Sequence, residues 1–334
     1  LFIISKITIV LFAHFPENHY LRRNISPIIL SMIPKEKEQK LISIYFFVCD
    51  LYEKELFESC QRFSNNASPE FTDQEIMTIY LFTGAQQRYF SIKEIHSFAR
   101  DFLADWFPKL PGYKAFSARV NLLANAFQFL DVYLIVSFKP KDCSPNISLL
   151  DSFPIFTCTS KNRKGKVAPE ITAKGYCASK GKYYYGCKLH ALAAKREGTI
   201  PFPESLIVTP AKDNDLTVFK QAWGDEIYGK IIFADKIYSD FQYFNSEKKT
   251  SQQIEMLTPV KAIKGQCEEL KQRNRAFNDL FSTAVSKVRQ PIESFFNWLN
   301  EKTNIQRAMK VRSTNGLLVH IFGKLAIAFL YLIF

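Results

Sequence analysis

ISLLDSFPIF, residues 147–156, is a short β-branched and aromatic run that follows the turn-forming segment KPKDCSPN and carries a carboxylate, Asp151, inside it. A lone carboxylate buried in a strand is costly, so Asp151 must be paired, metal-bound or at the strand's end. Reading onward, KYYYGCKLHALAAK (182–195), SLIVTP (205–210), KIIFADKIY (230–238) and QIEMLTPVK (253–261) have the same texture and are predicted strands. DLTVFKQAWGDE (215–226), with Asp213 or Asn214 as a cap, is a predicted helix between the third and fourth of them. Strands first, then helix, strand and closing helices, predict an α/β layer rather than a bundle.

Upstream, residues 41–140 read as helical. Thr72 with Glu75 and Ser91 with Glu94 are two capping boxes, and LPGYKAFSARVNLLANAF supplies a third helical pattern. Several short helices ending near Arg119 suit a DNA-gripping helix-turn-helix, and a plain helical bundle shows the same features. Residues 1–40 lack clear periodicity, begin with Leu, and are expected to stand outside the fold as an extension, with 141–334 as the catalytic part.

With 47% hydrophobic residues in 334, the chain has ample apolar surface to bury in one or two ordinary domains, so disorder is not the expectation. Lys and Arg number 44 against 32 acids, a net +12, which favours a polyanionic partner. Lys161 to Arg196 holds ten of the cations with Glu170 as its single acid, a stretch that suits phosphates as well as it suits a solvated loop. Seven scattered cysteines with no C-x-x-C pair indicate neither a disulfide framework nor zinc, and place the chain in a reducing compartment such as the bacterial cytoplasm. The apolar run from Leu317 to Phe334 is long enough to span a bilayer. Lys324 in its middle would cost a few kcal/mol in lipid, so a buried terminal helix and no membrane partner are expected.

Two further acids join Asp151 by position. Asp235 closes the apolar IIFA at the carboxyl end of a strand, where open α/β sheets place ligands. Glu293 lies in RQPIESFFNWLNEKTNIQ (289–306), where Pro291 suits a first helical turn and Glu293 the positive end of the helix dipole. There Glu293, Asn297, Asn300 and Asn304 share one helix face, opposite Phe295, Trp298, Leu299 and Ile305. Three carboxylates in this order in a basic chain suit phosphodiester chemistry: oxygen ligands hold Mg²⁺ or Mn²⁺, and two such ions promote an in-line displacement without a covalent nucleophile.

LLDSFP, YYYGCKLHAL, IVTPAKDND, FADKIYSD and RQPIESFFNWLNEK, in that order, resemble the DDE transposases of bacterial insertion sequences, and most closely the family numbered 982. EFTDQEIMTIYLF and LPGYKAFSARVN extend the resemblance through the helical part. It implies a ribonuclease-H-like mixed sheet flanked by helices, a helical N-terminal region, and Asp151, Asp235 and Glu293 as catalytic metal ligands for two Mg²⁺ or Mn²⁺ ions. It further implies cleavage at inverted terminal repeats and strand transfer into target DNA by a homo-oligomer on double-stranded DNA. Arg289, four residues before Glu293, matches the signature's basic residue and is expected to touch phosphate. Lys188 and His190 share a strand face with Gly186 and could approach DNA or the metal site, although for His190 a satisfied core or hairpin histidine is the favoured reading over direct chemistry. The chain departs from its relatives at Ile237, where they have glycine after the Asp-Lys pair, and at Asn300, where they have lysine. An inactive DNA-binding remnant and a nuclease of the same fold without strand transfer are the alternatives.

Overall fold

A computed structural model describes residues 33–62, 69–159, 165–261 and 265–333. Among the described residues, five α-helices precede the sheet: α1 (Lys35–Leu51), α2 (Asp73–Gln87), α3 (Ile92–Phe102), α4 (Tyr113–Leu122) and α5 (Ala124–Ser137). Both capping boxes form. Thr72 accepts from the Glu75 N–H while the Glu75 carboxylate takes the Thr72 N–H, and Ser91 and Glu94 repeat the exchange at α3. Helix α1 begins at Lys35, earlier than the boundary at residue 41. The charged KEKEQK, read as part of the extension, is its first turns, with Glu36 and Glu38 at the positive end of the dipole and Leu41, Ile44, Val48 and Leu51 buried along one stripe. Residues 1–32 lie outside the described residues.

The second half is built on one sheet. Its strands are β1 (Ile147–Cys158), β2 (Ala173–Cys177), β3 (Lys182–Ala194), β4 (Phe202–Pro210), β5 (Ile231–Ala234) and β6 (Glu255–Leu257), with α6 (Asp215–Ala222) between β4 and β5 and the short α7 (Phe241–Phe244) and α8 (Glu247–Ser251) before β6. β1 is central: β3 pairs with it antiparallel, β5 parallel, and β6 continues parallel to β5. β2 and β4 lie end to end along the other side of β3. β2 was not foreseen. Its sequence AKGYC has glycine and lysine and only one buried residue, the texture of a short edge strand rather than of a core one. Gly186 in β3 is a place where only glycine fits, because a Cβ there would stand 1.9 Å from the Ile155 carbonyl oxygen.

The chain closes with α9 (Glu268–Thr303), α10 (Thr314–Leu318) and α11 (Lys324–Ile333). α9 starts well before Pro291, so the proline occupies a helix interior and not a first turn. Its missing N–H and its ring cost a helix about 3 kcal/mol. Burial of Ile292, Phe295, Phe296 and Leu299 immediately after it holds the helix together. Asn304 then ends α9 in the left-handed conformation, its N–H on the Asn300 carbonyl.

One face of the sheet packs on α9 and, without interruption, on the N-terminal helices and α11, in a single hydrophobic cluster that runs from Ile33 to Leu330. The other face packs on α6 through Leu150, Leu192, Phe219, Trp223 and Ile232. The architecture is the mixed α/β arrangement expected, a mixed sheet flanked by helices behind a helical N-terminal region. The segment Thr314–Leu332 is apolar enough to cross a membrane, yet most of it is buried inside the protein. Lys324 within it donates to the Asn304 carbonyl at 3.1 Å and lies over the Phe90 ring.

Candidate active site

Asp151 is delivered by β1 directly after the buried Leu149 and Leu150. In the pairing register Leu150 stands opposite Ala234 of β5, so Asp151 and Asp235 occupy the next step on adjacent parallel strands, about 5 Å apart in the pairing direction. Asp235 caps the 3₁₀ turn Lys236–Tyr238 by accepting the Lys236 N–H at 2.7 Å. Ile237 lies in that turn and is not among the residues with positive φ, so the lost glycine puts no strain on it.

Glu293 comes from α9, on the face turned away from the core. The helix is fixed against the sheet by Ile292 and Phe295, both fully buried, and by Phe296, whose ring stacks on Phe153 of β1 at 5.1 Å. That places Glu293 and Arg289, one turn apart, over Asp151. Glu293 is a mid-helix residue, so the helix dipole expected to favour it does not act there. Arg289 joins the two acids: one terminal nitrogen donates to Asp151 Oδ2 at 2.8 Å and the other to Glu293 Oε1. Its Nε is buried without a hydrogen-bond partner.

The electrostatics follow from this crowding. The Asp151 carboxyl is pushed up to about 6, first by burial and further by the Asp235 and Glu293 carboxylates, against the opposing pull of Arg289 and the Ser152 N–H. The Arg289 guanidinium is raised by all three carboxylates, which outweigh its burial. The three acids therefore share one electrostatic neighbourhood around a single cation. Among the described residues, no three His, Cys, Asp or Glu side chains are drawn together closely enough to enclose a metal ion. Three carboxylates facing one guanidinium nevertheless leave excess negative charge and only hard oxygen donors, which is the donor chemistry of Mg²⁺ and Mn²⁺.

The remaining expected residues go elsewhere. Residues paired across a ladder point to the same face, and His190 pairs with Ser152 and Lys188 with Pro154, one residue out of step with Asp151. Lys188 and His190 therefore project on the α6 side of the sheet, opposite Asp151. Lys188 donates to Asp215 Oδ1 at 2.8 Å and to the Asp213 carbonyl, and His190 Nε2 meets Thr209 Oγ1 at 2.8 Å. Burial pushes His190 down to about 4 even with Asp215 nearby. His190 is thus the buried, hydrogen-bonded histidine that its sequence favours. In sequence Asp215, their partner, shows only as part of a helix start. The signal that could have found it was Lys188 itself, since a lysine alternating into a sheet's buried face needs a carboxylate.

Arg119 also turns inward. Its Nε and Nη2 hold both oxygens of the buried Asp73 at 2.7 and 2.6 Å, Nη2 also reaches the Cys60 carbonyl, and Arg62 binds the same carboxylate. Asn300, where the family resemblance leads one to expect lysine, accepts the Gln306 N–H, while Lys302 lies over the Tyr331 ring. Of the seven cysteines, Cys60, Cys177 and Cys187 are buried and Cys267 is exposed. Part of the basic stretch, residues 160–164, lies outside the described residues.

Comparison with curated proteins gives no match. A family model described as "Transposase DDE domain" matches residues 142–330, the sheet and its closing helices.

Proposed function

The chain belongs to the transposase DDE-domain family, and from that premise we propose that it cleaves DNA at the ends of an insertion sequence and transfers the freed strand into target DNA. The observation that carries the proposal is the meeting of Asp151 and Glu293, 142 residues apart in sequence, on the two terminal nitrogens of Arg289, with Asp235 at the next step of the sheet.

In this reading Asp151, Asp235 and Glu293 would hold two Mg²⁺ or Mn²⁺ ions, which when bound would supply charge neutralisation at the phosphoryl group and a lower pKa for the attacking oxygen. Asp151 contributes from a rigid central strand and Asp235 from a capped turn, so both carboxylates are aimed before DNA arrives. Arg289 keeps the acids together in the free protein and turns its donors to a DNA phosphate once the carboxylates are otherwise neutralised. The excess of basic residues supplies sequence-independent affinity for double-stranded DNA, and a pair of copies would bridge the two terminal repeats. Resemblance to the family numbered 982 supports terminal inverted repeats as the sequence recognised.

Purified protein with Mg²⁺ or Mn²⁺ and a labelled terminal-repeat duplex is expected to nick at the element's end, and a pre-cleaved 3′-hydroxyl end is expected to join to a target plasmid. Asp151→Asn, Asp235→Asn and Glu293→Gln should each lower nicking by at least a thousandfold while the folded protein still shifts the duplex. Binding without nicking by the unaltered chain would overturn the enzymatic reading, and hydrolysis without joining would reduce it to a nuclease.

A further inference from the structure

On the edge of the sheet, where β2 and the loop after β4 meet end to end beside β3, lies an open groove of about 550 Å³. Its walls include Lys174, Tyr176, Tyr183, Lys188 and Lys212, with Asp213 as the single acid, and Ile237 at one end. Tyr176 and Tyr183 pair directly across the β2–β3 ladder, their ring centroids 5.0 Å apart and tilted at 56°, and they are 54% and 57% exposed. Lys174 Nζ stands 5.0 Å over the Tyr183 ring. Ile237 is 42% exposed in the turn that Asp235 caps, so the groove begins two residues from a candidate catalytic carboxylate.

Two exposed tyrosine rings, Tyr176 on the edge strand β2 and Tyr183 beside it on β3, have no use in the core. Set among lysines, they form the combination that holds an unpaired strand: ring faces for bases and cations for phosphates. A duplex cannot use those rings, because its base faces are covered by its own stacking, and a groove of this volume holds one or two nucleotides, not a double helix.

We propose that this groove binds unpaired nucleotides of a DNA strand leaving the carboxylate cluster past Ile237, with a base stacked on Tyr176 and Tyr183 and phosphates on Lys174 and Lys212. The proposal rests on the DNA-cleaving reading of the neighbouring carboxylates. It gives the protein a seat for a strand end that would otherwise be free to re-anneal or diffuse.

The test uses the full chain carrying Asp151→Asn, so that no cleavage intervenes, and two terminal-repeat duplexes, one blunt and one with a short unpaired extension containing 2-aminopurine. The expected result is a preference for the extended duplex and quenching of the 2-aminopurine on binding. Tyr176→Ala with Tyr183→Ala should abolish the quenching and lower the extended-to-blunt affinity ratio about tenfold. Lys174→Glu with Lys212→Glu, altering only exposed side chains, is a second variant expected to lower the same ratio. An unchanged ratio and unchanged quenching in both variants would overturn the groove assignment. So would equal affinity of the parent for both duplexes while it still binds the blunt one. Failure of the DNA reading looks different, since neither duplex would bind.

Discussion

Asp73 is 3% exposed and holds two guanidinium groups, those of Arg62 and Arg119, at the heart of the helical region. Removing the carboxylate leaves two buried or half-buried cations without a counter-charge, so Asp73→Ala should destabilise the protein by about 3–5 kcal/mol in denaturant titration. Arg119→Ala should act through the same loss of stability, and the DNA affinity of its folded fraction should match the parent's, the opposite of what a DNA-reading arginine would give. Lys324 offers a second residue-level test. Burial pushes its ammonium down from 10.5 to about 7, against a weak pull from Glu94. The unfolded chain thus binds the extra proton between those two values, and folding stability gains as pH rises from about 7 toward 10.5. Lys324→Met should flatten that part of the stability–pH profile in thermal melts across the range. Asp151 and Asp235 were legible in sequence because each acid interrupts or ends an apolar run. The inward turn of Arg119 is not legible in sequence, because a basic residue near a helix end looks the same whether it faces DNA or a buried acid 46 positions away.

Among the elements, α9 departs most from its sequence pattern. Pro291 suggests a helix start, and the true start at Glu268 is masked by a half-helix in which no residue before Val285 is buried. Sequence periodicity finds helices by their buried stripe, so an exposed stretch with Phe277 and Leu280 facing outward gives no such signal. Pro291→Ala should restore a backbone hydrogen bond and raise the unfolding free energy by about 1–3 kcal/mol, read in urea titration. A fall in stability would mean that a proline-dependent bend seats Phe296 on Phe153. Strands β1, β3, β4, β5 and β6 were legible from β-branched and aromatic runs. β2 was not, since edge strands avoid that composition, and it is the strand that supplies Lys174 and Tyr176 to the groove.

At the scale of the whole molecule, the division into a helical part and a catalytic part does not correspond to two cores. Gly84 of α2 is so close to α11 that a Cβ would stand 2.2 Å from Ile327 Cδ1, and Tyr80 of α2 donates to the Val319 carbonyl. Gly84→Leu should force the two apart and cost about 1–3 kcal/mol. A fragment of residues 142–333 should expose the apolar faces of α11 and α9, bind a hydrophobic dye and aggregate, where an independent domain would remain monodisperse in size-exclusion chromatography. This union was hidden from sequence reading because hydrophobic periodicity says which face of a helix is buried and never against what.

The Tyr80–Val319 contact joins residues 239 positions apart. A ribosome therefore finishes the helical region long before it makes the helix that completes that region's packing. Through the synthesis of the entire sheet the first helices carry an open apolar seam, and the chain commits to its final form only when α11 emerges and docks. A copy of the gene interrupted before the codons of α11 would lose the folding of the helical region as well as of α11 itself.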